Sequence, residues 1–318
     1  MAVWETVFFT ISNCLSLVIG SCANFLVIVS SLLFISARDL EGTNLLLVSL
    51  SVADFLLCAV YQPLLVFRFN HPDQNQAYLL SMRFVGYSLM TASLNGLLAV
   101  SFDRFVAIYL PFKYNTWMNG TNVALLISIS WVVALAIGIF NLSDNVSVRI
   151  IAHLYITMVI VVVPILYGLI YKEARKQAQR INHQVMPASI EFPNRHRLTD
   201  RATKGVGLVL MTTLLCWLPM ILFPAIFATL KTDEDVFRAV AWCLTASCVN
   251  SCINPFIYFY KFSKFRRNVR KLLQIIERTV GGSFLIKINR RSSRVIPMAQ
   301  DPNEIEPSRR ARVVWTIN

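Results

Sequence analysis

Charge is scarce in this sequence. Only 15% of its 318 residues are Asp, Glu, Lys or Arg, where a soluble domain carries about a quarter. The scarcity is concentrated in seven windows, residues 6–37, 42–67, 84–102, 114–143, 150–171, 205–230 and 239–260, which hold no charged residue except Asp54. Each reaches the roughly 18 residues that a spanning helix needs. Barrel strands are shorter, about ten residues, and alternate in polarity. The composition therefore excludes a soluble domain and predicts an all-α membrane protein, a seven-transmembrane helix bundle. No basic stretch precedes the first window, which is far longer than the core of a leader peptide. It is expected to stay as a spanning helix.

Other chemistries also lack their residues. The seven cysteines all fall inside the apolar windows. None lies in a loop that could host a disulfide, no zinc spacing is present, and the expectation is small buried hydrophobes without a disulfide. No nucleophile or metal set accompanies His153, which argues against an enzyme. No repeat relates the two halves, as an inverted-repeat transporter would require.

What the sequence has is positive charge, +13 net. With the N-terminus outside, 25 of the 30 Lys and Arg fall on the inner side and five outside. The positive-inside rule then gives a multi-pass plasma-membrane protein, N-terminus outside and C-terminus cytoplasmic. The basic inner face suits anionic membrane lipid. No basic domain stands apart from the membrane, which excludes nucleic acid as a partner. Four segments follow: a short outer N-terminus at 1–6, the seven-span domain at 7–260, an amphipathic helix on the inner membrane surface at 261–275, and a polar tail at 276–318 expected to be disordered. Asn141 and Asn145 open acceptor sequons in a predicted outside loop. Ser293 follows Arg290-Arg291 and resembles a basophilic kinase site. Asp233-Glu234-Asp235 reads as an acidic outside loop.

Polar groups inside the windows need partners. Asp54 is a functional candidate by default. Asn24, Ser93, Asn250, Ser251 and Asn254 share its depth and offer oxygen donors suited to sodium. A hydrogen-bonded structural carboxylate is the alternative. Arg104, at the inner end of the third window, can pair with Asp103, reach inward, or snorkel to the interface. Pro219 follows Trp217 in the sixth window and Pro255 follows Asn254 in the seventh. Each proline frees a carbonyl and predicts a hinge.

In order, Asn24, Leu50-Ser51-Val52-Ala53-Asp54, Asp103-Arg104-Phe105, Trp131, Pro164, Cys216-Trp217-Leu218-Pro219 and Asn254-Pro255-Phe256-Ile257-Tyr258 resemble the signatures of rhodopsin-like (class A) G-protein-coupled receptors. The resemblance covers about 7–275. It implies a heterotrimeric G protein as partner and no cofactor beyond an allosteric sodium ion at Asp54, Ser93, Asn250 and Ser251. Arg104 would hold the inactive state and then contact the G protein. Trp217 would floor the ligand pocket and couple it to Pro219. Tyr258 would swing inward, and Phe112 would insert into the G protein. An ion-coupled transporter or channel using Asp54 is the second reading.

The departures bear on the ligand. Leu79 stands where the family places its bridging cysteine, and residues 142–149 contain none, so the usual outer disulfide is absent. Gly86 stands where amine receptors carry Asp, and Cys248 replaces the lysine of opsins. A lipid or peptide ligand is favoured over a monoamine. Thr213 replaces an aromatic beneath Trp217, Thr199 an acid opposite Arg104, and Tyr171 falls one residue from the usual tyrosine position.

Overall fold

The computed structural model describes residues 2–34, 42–71, 73–184, 212–213, 215–220, 222, 232–261 and 265–278. The spanning elements are α1 (Val3–Phe34), α2 (Gly42–Leu56), α3 (Gln62–Asn70), α4 (Gln76–Tyr109), α6 (Gly120–Phe140), α7 (Val146–Gln184) and α8 (Asp233–Lys261), with the short α5 (Tyr114–Trp117) between α4 and α6. A π turn, Leu57–Tyr61, joins α2 to α3 into one span. Six helices among the described residues are long and apolar enough to cross a membrane. The 205–230 window is described only in part, and what is described there is helical. Among the described residues there is no strand. A bilayer core enforces this, because each helix must satisfy its own backbone groups.

The chain divides into two compact units, Met1–Arg270 and Lys271–Asn318. In the first, residues 265–270 are helical; in the second, 271–278 are.

α4, α6 and α8 start on side-chain caps. Asn75 accepts from Tyr78 N at 2.8 Å to open α4, and Asn119 accepts from Asn122 N at 2.9 Å to open α6. Thr232 Oγ1 accepts from Asp235 N at 3.1 Å to open α8. Asp233, Glu234 and Asp235 therefore form the first turn of α8, where acid groups stabilise the positive end of the helix. This corrects the reading of that run as a loop. α1 begins at Val3, within the stretch expected as an outer terminus, and α7 runs to Gln184, into the linker that follows the fifth window.

Among the six described spans α4 is the most buried, and it packs against α2, α6 and α7. Glycines set the close approaches. A Cβ on Gly138 of α6 would overlap Ser88 Oγ of α4, and one on Gly20 of α1 would meet Cys58 Sγ at 2.5 Å. The outward faces carry Leu15, Val132, Ile165 and Phe256, all exposed, as a helix bundle solvated by lipid requires.

The inward face of α1 is the polar one. Its buried residues are Glu5, Phe9, Asn13, Ser16, Gly20, Asn24, Val27 and Ser30, three or four apart. Three of them reach α8. Arg238 Nη2 donates to Glu5 Oε1 at 2.9 Å, Asn13 donates to Thr245 Oγ1 at 3.0 Å, and Asn24 donates to Ser251 O at 3.1 Å.

Candidate functional site

Asp54 of α2 is fully buried. Ser93 Oγ of α4 donates to its Oδ1 at 2.6 Å, and Asn254 Nδ2 of α8 donates to its Oδ2 at 2.8 Å. Ser251 is a third hydrogen-bond partner. Three helices thus converge on one carboxylate. Asn250 Oδ1 and Ser51 Oγ are buried without a hydrogen-bond partner among the described residues. One carboxylate with hydroxyl and amide oxygens fits a monovalent hard cation. A divalent ion takes more anionic oxygen. No group of three His, Cys, Asp or Glu suited to a metal occurs among the described residues.

Toward one end of the bundle the polar interior continues. Tyr258 is buried within electrostatic reach of Asp54 and of Tyr167. Tyr167 of α7 is buried, hydrogen-bonded to Ser101, and within electrostatic reach of Arg104. Of the three arrangements open to Arg104, the structure adopts pairing with its neighbour. Arg104 Nη2 lies 3.0 Å from Asp103 Oδ2. Tyr114 of α5 donates to Asp103 Oδ1 at 2.9 Å. Tyr167, rather than the exposed Tyr171, is the fifth-span tyrosine that faces this cluster. Phe112 sits on the turn Pro111–Lys113 and is 101% exposed.

At the Glu5 end lies a cavity of about 290 Å³ between the Leu57–Tyr61 turn, α4, α7 and α8. Met220 lines it, but Trp217, three residues earlier, does not. Trp217 is buried, and its Nε1 makes no hydrogen bond among the described residues. Gly86 borders the cavity because nothing larger fits. A Cβ there would meet Tyr61 Cε2 at 2.5 Å.

The remaining candidates divide. Asn141 is buried and donates to Ile137 O at 2.9 Å. Asn145 is exposed and caps the start of α7 through Ser147 N at 2.9 Å. Pro219 is half-buried, and Pro255 is buried within α8. All seven cysteines are free. Ser293 and Thr199 lie outside the described residues.

Sequence reasoning missed the Glu5–Arg238 pair, Tyr167, and a bridge in which Tyr155 donates to Asn95 Oδ1 at 2.8 Å while Asn95 donates to Ser130 O at 3.0 Å. The spacing of polar residues through the first window would have revealed the inward face of α1.

A helical membrane bundle with a buried, hydrogen-bonded carboxylate at Asp54 and a charged pair at Asp103 and Arg104 defines a class of protein; comparison with known sequences supplies the family. The pattern of the 7 transmembrane receptor (rhodopsin family) matches residues 23–146 and 141–258. The chain belongs to that family. It is 28% identical to the human adenosine receptor A2a over 222 residues, 58% of this chain and 53% of the receptor. It is 27% identical to the mouse trace amine-associated receptor 9 over 282 residues, 79% and 80% of the two chains. It is 25% identical to the human cannabinoid receptor 2 over 270 residues, 79% and 74%. The chain spans about half the length of the adenosine receptors it matches. The family match supports the receptor reading and gives no support to the transporter alternative.

Proposed function

We propose that this chain is a ligand-gated receptor that activates heterotrimeric G proteins. The observation that carries the reading is the polar track through Asp54, Asn254, Tyr258, Tyr167 and Arg104. Hydrogen bonds at Asp54 tie α2, α4 and α8 together, Tyr258 and Tyr167 are buried within electrostatic reach of each other, and Arg104 pairs with Asp103 at one end of the bundle. A ligand at the other end that favours one packing of α7, α8 and the sixth span shifts the population of the Arg104 end. Arg104 holds the resting state through Asp103 and contacts the G protein when released. Tyr258 moves inward, Trp217 and Pro219 form the hinge, and the exposed Phe112 enters an apolar pocket of the partner. Sodium held by Asp54, Ser93, Asn250 and Ser251 would supply positive charge between α2, α4 and α8 and favour the resting packing.

The protein sits in the plasma membrane with its N-terminus outside. Asn145 is the glycan acceptor, the helical residues 265–270 lie on the inner surface, and Ser293 in the tail is a phosphorylation site. The relatives' names point to adenosine, trace amines and cannabinoids, at identities too alike to select a ligand. Purified receptor in liposomes tests the reading. Accelerated nucleotide exchange on an added G protein supports it, and ion flux without exchange overturns it.

A further inference from the structure

The cavity at the Glu5 end has a mixed lining. Met82, Met90, Met220, Ile156, Ile160 and Leu244 give it apolar surface. Arg83, Tyr87, His153 and Thr157 give it polar groups. Tyr87 Oη and His153 Nε2 are 3.2 Å apart, and His153 Nδ1 lies 2.7 Å from Arg149 O. A carbonyl only accepts, so Nδ1 carries a proton and donates to Arg149 O, while Nε2 shares a hydrogen bond with Tyr87 Oη. The ring is thereby fixed from both sides.

No carboxylate lines the cavity among the described residues, and Arg83 is its charged side chain. Arg83 is half-buried and makes no ion pair with another described residue. The nearby acids are engaged elsewhere, Glu5 with Arg238 and Asp235 with Thr232 and Arg238. Arg149 adds positive potential, since both guanidiniums act on Tyr87. At Gly86 the Tyr61 ring fills the space that an acidic side chain would need. A cation facing an apolar-walled space calls for an anion. Flexible methionines suit an apolar body of adaptable shape. The volume is at the small end of ligand pockets, about 300 Å³.

We propose that the cavity takes a compact amphiphilic anion, a carboxylate or phosphate head at Arg83 with an apolar body along the methionines, and that it discriminates against amines. The proposal rests on the reading of this cavity as the ligand site.

Equilibrium binding to the wild-type receptor in zwitterionic nanodiscs tests it, with decanoate, decyl phosphate, decanol and decylamine as probes of one chain and four heads. At least one of the two anions should bind saturably, and the tighter anion identifies the head. Decanol and decylamine should bind about tenfold more weakly, the scale of a hydrogen bond to a charged group. Arg83→Gln should weaken the anion by about tenfold, and Arg83→Lys by much less. Equal binding of decanol, tighter binding of decylamine, or no saturable binding of either anion overturns the proposal, as does unchanged affinity in folded Arg83→Gln. The head-group series on wild type stands even if that variant does not fold. Basal nucleotide exchange by the same preparation separates the two readings. Exchange without anion binding removes the ligand class and leaves the receptor. Anion binding without exchange leaves the cavity chemistry and removes the receptor reading.

Discussion

Asn24 donates its side-chain amide to the main-chain carbonyl of Ser251 at 3.1 Å. The contact has a covalent cause. Pro255 has no N–H, so the carbonyl four residues before it loses its helical partner. In hydrocarbon that carbonyl would go unsatisfied. A residue of the first helix thus closes the gap that proline opens in the last, beside the Asp54 cluster.

Asn24→Ala should therefore lower stability by about 1–2 kcal/mol, read as a lower thermal midpoint of the purified receptor. Asn24→Ala with Pro255→Ala restores an N–H and should recover much of the loss. An unchanged midpoint in the single variant contradicts the assignment.

The Arg104 end gives a second prediction. Asp103 is buried, holds Arg104 at 3.0 Å and accepts from Tyr114. Arg104 is partly exposed, so the pair is worth only about 0.5–1 kcal/mol. Asp103→Asn should raise basal nucleotide exchange a few-fold, and Tyr114→Phe by less. A fall in basal exchange in both variants would reverse the proposed role.

Sodium should stabilise the receptor through Asp54. At ten times its dissociation constant a bound ion adds about 1.4 kcal/mol. The wild-type midpoint should rise when sodium chloride replaces choline chloride, and Asp54→Asn should show no difference. A wild type indifferent to sodium removes the ion and leaves a structural carboxylate.

Tyr61 and Gly86 should behave as a pair. Gly86→Ala drives a methyl into the Tyr61 ring and should destabilise by about 1–3 kcal/mol. Tyr61→Leu in the same chain should relieve part of that loss. Additive losses measured by thermal unfolding would show that the two do not share the space.

Much of this was legible in the sequence, for physical reasons. The absence of charge over membrane-length windows is enough to require helices, and Asp54, Asn254 and Arg104 announce themselves because hydrocarbon does not tolerate them alone. The partner chosen by Arg104 was not legible. Its neighbour Asp103, the inward helices and the membrane interface were all open until Tyr114 was seen to orient the carboxylate. Asp233-Glu234-Asp235 was misread because Thr232 was not recognised as a cap. Trp217 and the cavity were separated by one helical turn, a distance that motif order does not resolve. The bridge from Asn95 to Tyr155 and Ser130 depends on which faces of α4, α6 and α7 meet, and no local pattern specifies that.

The central claim is that the polar track ends in a coupling site for a G protein. Nucleotide exchange by purified wild-type receptor, compared with Arg104→Ala at equal surface expression and equal thermal midpoint, tests it most directly. The account predicts exchange for the wild type and none above the receptor-free rate for the variant. Equal exchange by the two proteins would contradict it.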